Sequence, residues 1–118
     1  MSERLRRNLA IVKRLKRMNV GNRKKFLSVC NQDIIDCLCE ASKNILKGNL
    51  PVSSHCYKKL CRYKKTLREL ATKKTAAKKR RALLVQRGGF LPLILGPLLG
   101  LASSVIGGVI NKALGHQQ

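Results

Sequence analysis

The chain reads as all-α: a small helical hairpin or bundle with basic helices and a C-terminal apolar tail containing glycine and proline. Three observations predict it. Apolar residues recur at intervals of three and four through most of the first 72 positions, the spacing that builds one face of a helix. Stop and cap residues fall where those patterns end, at Gly48, Pro51 and Ser53 or Ser54. At 118 residues the chain is long enough for one modest domain with tails and buries only a small core.

Residues 2–20 place Leu5, Leu9, Val12 and Leu15 among Arg4, Arg6, Arg7, Lys13, Arg14, Lys16 and Arg17, which describes a basic amphipathic helix stopped by Gly21. A short helix follows over 23–30, with Phe26, Leu27 and Cys30 on one face. In "NQDIIDCLCEASKNILKGNLP" the stripe is Ile34, Ile35, Leu38, Ala41, Ile45 and Leu46. Asp33, Asp36 and Glu40 lie toward its N-terminal end and Lys43 and Lys47 toward its C-terminal end, as the helix macrodipole favours. Gly48 and Pro51 end this helix. Ser53 or Ser54 caps the next, where Cys56, Leu60, Tyr63, Leu67 and Leu70 form a packing seam for a helical hairpin. Residues 73–81, "KKTAAKKRR", carry six basic residues and no large apolar side chain, and read as an exposed helical extension or a disordered tail awaiting a ligand. The resulting division is a basic N-terminal region (1–30), a hairpin core (31–72), a basic extension (73–87), and a Gly-Gly junction with an apolar tail (88–118).

Twenty-six Lys and Arg against five acids give a formal charge of +21. Self-repulsion at that charge opposes compaction unless a polyanion or an acidic membrane neutralises it, so the composition implies a partner. Residues 1–25 hold ten basic residues and Glu3, a net +9. Residues 58–87 hold thirteen basic residues and Glu69, a net +12: Lys58, Lys59, Arg62, Lys64, Lys65, Arg68, Lys73, Lys74, Lys78, Lys79, Arg80, Arg81 and Arg87. With Arg14 and Arg17 these are the candidate DNA-binding residues. Ordinary basic residues solvate helix faces beside matching acids; here the acids are missing. Charge of this density binds phosphate by releasing condensed counterions, whatever the base sequence. Base readout has little support, since there is no Trp and only Tyr57, Tyr63, Phe26 and Phe90 could stack. The helix, "KGNLP" and a following helix are a weak helix-turn-helix signal, because nearly any hairpin supplies as much.

Cys30, Cys37, Cys39, Cys56 and Cys61 are odd in number, and a basic N-terminus rather than an apolar signal precedes them, which predicts reduced thiols in an intracellular protein. The cysteines and His55 do not match a familiar zinc spacing, and Cys37 and Cys39 project about 200° apart on a helix, so no metal or other cofactor is expected. No acid pair, Ser-His-Asp set or phosphate-cradling glycine loop stands out, so catalysis is not expected either.

From Phe90 to Ile110 there are 21 residues without a charge. That length spans a bilayer, with Gly96 and Gly100 as a small-xxx-small pair and the basic flank on the cytosolic side. Pro92 and Pro97 weaken a straight helix. A tail that docks on a partner protein, or disturbs membranes transiently, fits the same composition.

Residues 78–110, "KKRRALLVQRGGFLPLILGPLLGLASSVIGGVI", resemble the end of the adenovirus core protein X (mu precursor) family. The likeness to the X-like proteins of adintoviruses and Maverick or Polinton elements extends upstream over "KKLCRYKKTLRELATKK" and "CEASKNILKGNLPVS", about three quarters of the chain. The shared part is Arg87, Gly88, Gly89, Phe90, Leu91 and Pro92 with the apolar tail behind. The resemblance implies a virion core protein that condenses double-stranded DNA and is present in the host nucleus during assembly. It also implies cutting by a viral cysteine protease after Gly89, with Gln86 departing from the large apolar residue common upstream of such bonds. Capsid proteins or a membrane are the implied partners of residues 90–110. Two other readings fit the composition: a tail-anchored or membrane-disrupting basic protein on anionic membranes, and a cellular chromatin or ribosome-associated protein.

Overall fold

Residues 3–49 and 52–99 are described by a computed structural model, and among them all regular structure is helical. The chain is an all-α bundle: α1 (Glu3–Arg7), α2 (Leu9–Arg17), α3 (Val20–Val29), α4 (Gln32–Leu46), α5 (Ser54–Leu60), α6 (Lys64–Ala71) and α7 (Ala77–Arg87). A 3-10 turn, Cys61–Tyr63, joins α5 to α6, and a second, Gly88–Phe90, joins α7 to a last helix, α8, over 91–99.

The hairpin expected from the sequence forms. The α4 stripe packs on α6, with Ile34, Ile35 and Leu38 buried against Leu60, Leu67 and Leu70 in the core. Leu38 is 0% exposed, so Leu38→Ala is expected to cost about 2–4 kcal/mol, read by thermal unfolding; an unchanged melting temperature would contradict this packing. The ends of α4 are chemically marked. Asn31 caps its start by accepting from the Ile34 amide. At the other end Gly48 takes φ 75°, its amide bonds to the Ile45 carbonyl, and the Asn49 amide bonds to the Asn44 carbonyl. That pair of bonds is a Schellman closure, which needs the left-handed conformation glycine adopts without penalty.

Of the two serines expected to cap α5, Ser53 is the cap, accepting from the Cys56 amide. Two expectations are corrected. Gly21 does not stop the first helix: the chain breaks at Asn8 and again after Arg17, and Gly21 lies inside α3, whose start is set by Asn19 accepting from the Asn22 amide. The second concerns residues 73–87. Lys73, Lys74, Lys78 and Lys79 are exposed, but α7 is no loose extension, because it packs along α3 and α6 and buries Leu84.

The apolar stretch also begins inside the bundle. Phe90, Leu91, Ile94 and Leu95 are 0% exposed and Leu98 is 4% exposed, a helical stripe that joins the single core. Both prolines are accommodated. Pro92 lies in the first turn of α8, where a missing N–H costs little. Pro97 deprives the Leu93 carbonyl of its helical donor, and the Cys56 thiol of α5 donates to that carbonyl at 3.1 Å instead. Residues 100–118, and with them about half of the span read as membrane-compatible, lie outside the described residues.

Candidate nucleic-acid interface

Helices α5, α6 and α7 with their connecting turns carry the main set of candidate cations. Lys58 and Lys59 lie on α5, Arg62 in the 3-10 turn, Lys64, Lys65 and Arg68 on α6, Lys73 and Lys74 after it, and Lys78, Lys79 and Arg87 on α7; all are exposed. Arg14 and Arg17 are exposed on α2, a separate element.

Arg80 and Arg81 behave differently from the rest. Both are half-buried. Arg81 Nη1 donates to the Leu27 carbonyl at 2.8 Å and contacts Cys30 Sγ at 3.6 Å, pinning α7 to the end of α3. Arg80 Nη2 donates to the Thr72 carbonyl at 2.6 Å. Their guanidinium groups are engaged in structure, which sequence alone hid because "KKRR" reads as four equivalent charges.

The acids are mostly committed. Asp33 binds Arg4 Nε at 3.2 Å, Arg7 Nη2 at 3.1 Å and Asn8 Nδ2 at 2.8 Å. The Asn8 amide and the Arg7 guanidinium, with Arg4, hold the Asp33 carboxyl below its ordinary pKa. Glu40 faces Arg4 Nη1 at 3.5 Å, and Glu69 faces Lys79 Nζ at 3.8 Å. These contacts tie α1 to α4 and α7 to α6. Within residues 54–87 the one acid is Glu69, while Asp36 and Glu40 of α4 lie across a cleft from Lys73 and Arg80.

The aromatic and thiol groups lie largely in packing roles. Tyr63 is half-buried with its ring centroid 5.7 Å from that of Phe90, tilted by 52°, while Tyr57 is exposed. Burial pushes the thiols of Cys37 and Cys39 up to about 11, so both are protonated near neutral pH. Among the described residues no group of three or more His, Cys, Asp or Glu is placed to hold a metal ion.

The glycine pair departs from expectation. Proteolysis of the kind the resemblance implies needs an accessible, extended strand, which adjacent glycines favour. Gly88–Phe90 is instead a 3-10 turn within continuous helix, and Phe90 is buried. Gly89 is exposed on one side, yet a Cβ there would sit 3.0 Å from the Tyr63 hydroxyl, so its small size serves the close approach of the two 3-10 turns. Cutting after Gly89 therefore requires this turn to open first.

Comparison with known proteins returns no matching family model, no curated relative and no solved structure. Sequence reasoning passed over Lys43 and Lys47 as macrodipole partners; their proximity to Lys73 and Arg80 arises only when α4 packs on α6 and α7.

Proposed function

We propose that the protein is a virion core protein of the adenovirus X-like type found in adintoviruses and Maverick or Polinton elements, which binds and condenses double-stranded DNA without sequence preference. The observation that carries the reading is the α5–α7 surface, where every candidate cation except Arg80 and Arg81 is exposed and the one acid of residues 54–87, Glu69, is engaged by Lys79. Such a surface gains affinity by releasing counterions from the phosphate backbone. Arg14 and Arg17 on α2 supply further exposed charge, so one molecule can engage neighbouring duplexes as well as neutralise one. Base recognition and catalysis have no part in this mechanism.

Processing after Gly89 belongs to the same proposal, with a physical consequence. A cut there detaches Phe90, Leu91, Ile94, Leu95 and Leu98, all of them core residues. The product is more than a trimmed polycation: it is a bundle stripped of one helix, whose basic segments are then freer to order on DNA.

A second reading, action on anionic membranes, draws on one observation. The continuous helical run Ala77–Leu99 is long and apolar enough to cross a membrane by length and composition. Its core-facing side chains would have to leave the bundle first.

Purified particles separate the readings. After capsid disruption the chain is expected to sediment with the DNA, and mass spectrometry to find a C-terminus at Gly89 when the viral protease is active. Recovery with the membrane or capsid fraction, free of DNA, would reject the core-protein reading.

A further inference from the structure

We infer that the cleft bounded by α4, the end of α6 and the start of α7 is a preformed seat for a backbone phosphate of duplex DNA. The inference rests on the DNA-binding reading above and locates where on the bundle one phosphate is held. The cleft encloses about 600 Å³ and is lined by Lys43 and Lys47 near the end of α4, Lys73 after α6, Arg80 of α7 and Arg4 of α1.

Two carboxylates share this lining, and they do not cancel it. Glu40 is matched to Arg4 at 3.5 Å, and Arg4 also serves Asp33. That leaves Lys43, Lys47, Lys73 and Arg80 against Asp36 alone, and none of the three lysines has a carboxylate within ion-pair distance among the described residues. The carbonyl end of α4 adds about half a negative charge, which Lys43 and Lys47 outweigh.

Arg80 supplies the independent observation. Its Nη2 donates to the Thr72 carbonyl at 2.6 Å, so the guanidinium is a charge fixed in place in the cleft lining rather than a mobile one. The lysines around it are point charges that hold an anion without demanding one orientation. A fixed guanidinium with ammonium groups around it suits an anionic phosphate.

The test is the salt dependence of the full chain binding a short labelled duplex. Lys43→Gln with Lys47→Gln is compared with Lys24→Gln plus Lys25→Gln, an exposed pair of equal charge on α3, outside the cleft. Losing the one seated phosphate should make the slope of log affinity against log salt shallower by about 0.9 for the cleft pair. The α3 pair is expected to stay near the wild-type slope. Lys73→Gln alone, in the turn after α6, should shift the slope in the same direction by no more than about 0.9, and does not depend on the cleft pair folding normally. Equal losses from the cleft and α3 pairs, with wild type still binding, would overturn the seat and leave diffuse DNA binding standing. A wild type that binds no duplex would overturn both.

Discussion

Phe90→Ala in the full chain is expected to cost roughly 3–5 kcal/mol of folding stability, the largest effect of any single substitution considered for this bundle. Phe90 is 0% exposed, its ring contacts Tyr63, and it opens the stripe that continues through Leu91, Ile94, Leu95 and Leu98. Truncation to Ala leaves a void where the Cys61–Tyr63 turn meets the Gly88–Phe90 turn, and neighbours fixed by helix packing cannot collapse into it freely. A small domain has only about 5–15 kcal/mol to lose, so the variant should be partly unfolded at growth temperature. Urea denaturation followed by circular dichroism measures the change. A midpoint equal to the wild type's would mean that residues from 90 onward are detached from the bundle, which would restore the reading of this stretch as a free apolar tail.

How far the sequence was legible depended on whether local chemistry or tertiary contact decided each element. The α4 helix was readable because its own residues specify it: Ile34, Ile35 and Leu38 make its stripe, acids and lysines sit at the ends the macrodipole favours, and Gly48 closes it in the left-handed region. The seam through Leu60, Leu67 and Leu70 was readable for the same reason. The α7 helix was not, since "KKTAAKKRR" offers no apolar stripe; its docking depends on Leu84 and on Arg81 reaching the Leu27 carbonyl, 54 positions away. The α8 helix was hidden by Pro92 and Pro97. Nothing local announces that Cys56 donates to the carbonyl Pro97 leaves unpaired. The charge of the candidate interface was plain from composition, because it needs no fold. Its texture was not: the sequence could not separate the committed Arg80 and Arg81 from their exposed neighbours, or bring Lys43 and Lys47 beside Lys73.

The texture also bears on magnitude. Exposed lysines and arginines that lack acidic neighbours stay hydrated and mobile in the free protein, and each phosphate they meet releases about 0.9 of a condensed counterion. Engagement of six phosphates, fewer than the exposed candidates on α5–α7, already makes binding steeply dependent on salt. With Tyr57 the one exposed aromatic residue, stacking gives little means of preferring one base sequence.

The most direct measurement is therefore the affinity of the full chain for duplexes of unrelated sequence at two salt concentrations. The expected fall between about 50 and 200 mM salt is around a thousandfold, or about 4 kcal/mol, and nearly equal for every duplex. Affinity that is unchanged between the two concentrations, or strong for one sequence and weak for the others, would contradict charge neutralisation as the basis of this protein's function.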